Sequence, residues 1–90
     1  MPKISGSGRF TMPWVAGDRT RYTVSGHWSG TIHHDRDERD LPGGWVEYDV
    51  DEVYDLEFSQ GGTPCGTEVC NTLAVEFGRD LGPLEEFLVR

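Results

Sequence analysis

The chain has 90 residues, a formal net charge of −8 at pH 7 and three tryptophans, and 36% of its residues are hydrophobic. A chain of this length forms one domain, and its apolar content is too high for a disordered acidic tail. The sequence therefore predicts a single folded domain over residues 1–90. Nucleic acid and anionic membrane surfaces are disfavoured as direct ligands, because both select basic proteins.

The negative charge is concentrated in the middle of the chain. Residues 1–34 contain four basic residues and one acidic residue, whereas residues 35–57 contain ten carboxylates and two arginines. An acidic segment of this kind raises the association rate with positively charged molecules. The distribution favours a protein with a basic surface as the partner.

The first predicted elements form a β-hairpin. Apolar residues alternate with polar ones at Phe10, Met12 and Trp14, and residues 16–19 have the composition of a hairpin connection. The alternation resumes over residues 21–34 with a period of two, which is typical of a long strand with one buried face. The same periodicity places Trp28 on the buried face.

Proline and glycine residues predict departures from regular strand pairing in this hairpin. Pro13 cannot donate to a ladder of hydrogen bonds, so the first strand is predicted to lie at a sheet edge or to be bulged there. Gly26 and Gly30 occupy core-side positions of the second strand, where glycine marks a bulge, a bend or the close approach of another strand.

A further strand is predicted from residue 45 to residue 58. Its apolar residues occupy even-numbered positions, namely Val46, Tyr48, Val50, Tyr54, Leu56 and Phe58. Glu52 interrupts the series, which indicates either one strand with a bulge or two strands joined near residues 51–52.

The last third of the chain is predicted to hold a loop, a strand and a helix. Residues 59–66 are rich in glycine and proline, and alternation at Leu73, Val75 and Phe77 indicates a last strand. Residues 82–88 have Pro83 at a first helical position, which predicts a short helix. The predicted fold class is mainly β (a β-rich α+β protein), with a small antiparallel sheet or barrel of four to five strands and a short C-terminal helix.

The candidate binding site is a row of carboxylates on the third predicted strand. The members of this row share the side opposite the apolar series, and they are Glu47, Asp49, Asp51, Asp55 and Glu57. Residues i and i+2 of a strand lie roughly 6.7 Å apart, comparable with successive phosphates of a nucleic acid. Trp45 has the parity of this acidic side and is a candidate contact for a protein partner, or else a residue covered by the loop before it.

Two other interpretations of the acidic row remain open. The row is also compatible with an ordinary solvated sheet face. Calcium binding fits the spacing less well, because the ion needs six to eight oxygens converging on one point.

Histidine and cysteine offer weaker candidate sites. A Cys₂His₂ zinc site could be drawn from His27, His33, His34, Cys65 and Cys70, but the Cys-x₄-Cys spacing and the order of the ligands are atypical. The two cysteines are also compatible with a disulfide or with two packed thiols. No arrangement of nucleophile and base is fixed by the sequence, so neither an enzyme nor a cofactor is predicted.

The sequence thus predicts a small acidic interaction protein that binds a positively charged protein surface. In size and charge alone, without a shared motif, it is similar to small inhibitors of nucleic-acid-handling enzymes, among them phage anti-restriction and anti-CRISPR proteins. The alternatives are a disulfide- or metal-stabilised module of a larger assembly and a small hydrolase. The expected location is the cytoplasm, which for a viral protein would be that of the host.

Overall fold

The structure, a computed structural model, describes residues 3–35 and 45–90. The elements are β1 (Lys3–Val15), β2 (Arg21–Asp35), β3 (Trp45–Gln60), β4 (Thr63–Pro64), α1 (Thr67–Arg79) and α2 (Gly82–Leu88). The strands form one antiparallel sheet in the order β1-β2-β3-β4, which is curled into a half-barrel. The predicted fold class, an antiparallel sheet followed by a C-terminal helix, is confirmed.

The hairpin of β1 and β2 is built as the sequence predicts. Val15 pairs with Arg21 at its closed end, and Lys3 pairs with His33 at the other. In the turn, the backbone N–H of Thr20 donates to Asp18 Oδ1 over 3.0 Å, and this hydrogen bond lowers the pKa of the Asp18 carboxyl. The contact is therefore present while Asp18 is ionised and is lost as the pH falls through that lowered pKa. Because β1 pairs only with β2 in the described part of the sheet, Pro13 lies in an edge strand there, as predicted.

A second, tighter hairpin joins β3 to β4 where the sequence indicated a loop. Gln60 pairs with Thr63, and the two residues between them, Gly61 and Gly62, have φ angles of 57° and 85°. A two-residue turn with both φ angles positive suits the right-handed twist of paired strands, and glycine adopts it at little cost.

The predicted last strand around residue 75 is wrong, because residues 67–79 form helix α1. Leu73 and Phe77 are buried and lie four residues apart, whereas Val75 between them is 57% exposed. Over so short a segment, apolar residues four positions apart share one face of a strand as well as one face of a helix. Helix α2 confirms the predicted C-terminal helix and its proline at the first turn.

The core lies between the two helices and one face of the sheet, here called the core face. Phe77 of α1 stacks on Phe10 of β1 with 5.9 Å between the ring centroids. Trp14 packs edge-on against the ring of Phe77, with 5.4 Å between the centroids. Trp28 is buried, as its parity predicts. The other buried core residues are Met12, Ala16, Val24, Val50, Phe58, Leu73 and Leu84. The opposite side of the sheet is called the outer face.

Candidate functional site

The outer face is formed by the odd-numbered residues of β1 and β2 and by their cross-strand partners on β3. Its centre is lined mainly with small hydroxyl residues, and the pairs Ser5–Thr31, Ser7–Ser29 and Thr11–Ser25 lie directly opposite one another. Within residues 3–35 and 45–90, both helices lie against the core face, since their buried residues belong to the core cluster. The outer face is therefore the broad polar surface of the described fold.

Carboxylates follow one another along β3 on this face. The register pairs Glu47 with His33, Asp49 with Thr31, Glu52 with Ser29 and Glu57 with Ser25, and all four acidic residues are exposed. Asp55, also exposed, reaches the same face, because its Oδ2 lies 3.7 Å from Nδ1 of His27. These five residues, Glu47, Asp49, Glu52, Asp55 and Glu57, are called the carboxylate row below.

Two register shifts in β3 decide which residues belong to the row. One shift lies opposite Gly26 and the other lies between Ser29 and Gly30, and each places one additional residue in β3. A single additional residue exchanges the two faces for everything beyond it, and a second one restores them. The prediction of one strand with a bulge is thus correct, although there are two irregularities.

Between the two shifts, the faces are the reverse of those predicted. Tyr54, predicted on the core side, pairs with His27 on the outer face and is 41% exposed, whereas Val53 pairs with Trp28 and packs against the core. Glu52, which interrupted the apolar series, lies on the outer face. Asp51 is the additional residue of the second shift and is exposed.

Two histidines of β2 contact carboxylates of the row. The Nε2–H of His33 donates to Asp49 Oδ2 over 2.7 Å. The imidazole of His27 stacks on the phenol ring of Tyr54, with 5.3 Å between centroids and 12° between planes. Among the residues whose side chains the structure describes, these two His–Asp contacts are the only ones that join a basic to an acidic side chain, and neither involves lysine or arginine.

Trp45, the remaining candidate contact, is the first residue of β3 and pairs with Asp35. Its side chain lies outside the described part of the structure. Its role in binding stays a prediction from the sequence.

The structure places the histidines and cysteines that were candidate zinc ligands in different parts of the fold. His27 and His33 lie on the outer face of β2, whereas Cys65 and Cys70 flank the start of α1. No group of three or more His, Cys, Asp or Glu residues that could hold a metal ion occurs within the described ranges. The arrangement gives no support to a Cys₂His₂ site.

The two cysteines are free, half-buried thiols that pack against the core. The Cys70 thiol donates to the carbonyl oxygen of Leu56 over 3.5 Å. Both cysteines line a cavity of about 500 Å³ beside Glu57, and no histidine is among its described lining residues. Cys65 precedes the N-cap residue Gly66, and Cys70 is the fourth residue of α1. These are the two positions of a hydrophobic staple at the start of a helix. Packed thiols, one of the sequence interpretations, describe this structure.

No protein-family model, curated protein or solved structure matches the chain. Within residues 3–35 and 45–90, neither helix has the length and apolar character needed to cross a membrane.

Proposed function

We propose that this chain is a small binding protein whose outer face docks on a positively charged protein surface. The observation that carries the proposal is the carboxylate row, in which five exposed acidic side chains of β3 lie on a face that the described helices leave uncovered. Among the described residues, the basic side chains that contact the row are the two histidines.

The geometry of the face suits protein recognition. The backbone ladder fixes the positions from which the side chains of the row extend, so the backbone of the row loses little conformational freedom when a partner binds. Exposed charges of one sign steer a partner of the opposite sign, which raises the association rate more than it raises the final affinity. The small hydroxyl side chains at the centre of the outer face allow a partner to approach closely beside the row.

We further propose that the basic partner is a nucleic-acid-handling enzyme whose groove accepts the row in place of phosphates. Before the shifted segment, Glu47 and Asp49 are two positions apart and follow the strand interval of roughly 6.7 Å, comparable with successive phosphates. Tyr54 occupies one position of the series, so the row combines charge with an exposed aromatic ring, as protein interfaces often do.

The proposal is tested with a double charge reversal, Glu47→Lys with Glu57→Lys. Neither residue takes part in the His–Asp contacts, and both are exposed, so the fold should be retained. Binding of fluorescent nona-lysine is measured by anisotropy at about 50 mM NaCl, where exposed charges are only partly screened. We expect the affinity to fall about tenfold, since each reversal replaces an attraction with a repulsion.

The matched control is Glu68→Lys with Glu86→Lys. These residues are exposed on α1 and α2, and their reversal changes the net charge equally without touching the outer face. We expect a clearly smaller loss of affinity. If both double variants lose affinity alike, only the net charge matters, and the carboxylate row is not a binding site.

A further inference from the structure

Tyr54 lies beside the carboxylate row and is 41% exposed, and among the described residues one face of its ring is stacked against a neighbour. The imidazole of His27 covers the face that is directed toward β2. Arg9 pairs with His27 from β1, so it lies on the far side of the imidazole from Tyr54. On the other side of β3, β4 pairs only with Ser59 and Gln60, so in the described part of the sheet no strand lies beside Tyr54 there.

Carboxylates flank this ring on the same face. Glu52 is two positions away along the strand, and Asp55 follows Tyr54 directly. The Asp55 carboxylate is turned toward the ring stack, since its Oδ2 lies 3.7 Å from His27 Nδ1. Asp55 has a φ of 52°, a left-handed conformation that glycine adopts with less strain. The position therefore carries a carboxylate where the backbone alone would favour glycine.

We infer that Tyr54, Glu52 and Asp55 form a subsite for the guanidinium group of an arginine in the basic partner, an inference that rests on the proposed function. A planar guanidinium stacks on an aromatic ring while its N–H groups donate to carboxylates at the ring edge. A lysine ammonium is a compact, strongly hydrated charge that does not stack in this way. The subsite thus gives the carboxylate row a preference for arginine over lysine.

The experiment compares nona-arginine with nona-lysine, which carry equal charge, as fluorescent probes of wild-type and variant protein. We expect wild type to bind nona-arginine more tightly, and Tyr54→Val to reduce the arginine-to-lysine affinity ratio about two- to fivefold. Tyr54→Phe keeps an aromatic ring and should keep the ratio. Asp55→Gly removes the carboxylate but suits the backbone, so it should weaken nona-arginine binding while the melting temperature is unchanged or higher.

The outcomes separate this inference from the proposed function. If Glu47→Lys with Glu57→Lys weakens both peptides but Tyr54→Val leaves the ratio unchanged, the carboxylate row binds and the arginine subsite is wrong. If wild type and the double charge reversal bind both peptides equally, the proposed function fails. Circular dichroism melting of every variant shows whether a loss of binding arises from unfolding.

Discussion

Gly30 lies where β2 and β3 approach each other closely, beside the second register shift. A Cβ added there would overlap the carbonyl oxygen of Asp49 and would lie 2.9 Å from Val50 Cα. Both are backbone atoms and cannot rotate away, so the strands themselves would have to separate. We expect Gly30→Ala to lower the free energy of unfolding by about 1–3 kcal/mol, measured by urea denaturation.

Gly78 provides the opposite case and serves as the control. It lies in the last turn of α1, and a Cβ there would meet no atom within 4 Å. Gly78→Ala should therefore raise the free energy of unfolding by about 0.5–1 kcal/mol, because alanine loses less conformational entropy in a helix. Equal effects of the two substitutions would show that close strand approach is not what requires glycine at residue 30.

Helix α2 is joined to β3 by a side-chain hydrogen bond in addition to the packing of its buried Leu84. The backbone N–H of Val50, next to the second register shift, donates to Glu85 Oε2 over 2.7 Å in a half-buried setting. Glu85→Ala would leave this buried donor without an acceptor, so we expect the free energy of unfolding to fall by about 1.5–3 kcal/mol. Glu85→Gln should cost less, because its amide oxygen can still accept.

The adjacent Glu86 tests whether the effect comes from this contact or from the charge of the helix. Glu86 is exposed on the same turn, and Glu86→Ala should change the stability by no more than about 0.5 kcal/mol. Chemical denaturation of the three variants side by side makes the comparison. A loss at Glu86 as large as that at Glu85 would contradict the role assigned to the hydrogen bond.

The long strands and α2 were predictable from sequence because their signals extend over many residues or include a fixed marker such as Pro83. Helix α1 was not predictable, since the alternation at Leu73, Val75 and Phe77 also fits a short strand. Its helical pattern is visible only when Cys70 and Ala74 are counted as apolar, since both pack against the core. With them, the apolar spacing becomes i, i+3, i+4 and i+7.

The carboxylate row was predictable at its two ends but not at its centre. Because two additional residues restore the original parity, Asp49 and Glu57 lie on the face that simple alternation predicts. Between the shifts, alternation assigns Tyr54 to the wrong face and omits Glu52. The break in periodicity at Glu52 indicates that a bulge is present, but the positions of the additional residues depend on which residues oppose each other across the strands, and one strand's periodicity does not give that pairing.

The charge distribution of the whole molecule makes its stability dependent on salt. The chain carries a net charge of −8, and within the described ranges no lysine or arginine pairs with a carboxylate, the contacts between basic and acidic side chains being those of histidine with aspartate. Salt therefore screens more repulsion than attraction, because the carboxylates of β3 lie within one screening length of one another. Raising NaCl from about 20 mM to about 500 mM should increase the melting temperature by about 4 °C, if roughly 1 kcal/mol of repulsion is relieved.

The double reversal Glu47→Lys with Glu57→Lys should melt higher than wild type at low salt and gain less from added salt, as followed by circular dichroism. A melting temperature that falls with salt would mean that attractive ion pairs outweigh the repulsion within the row.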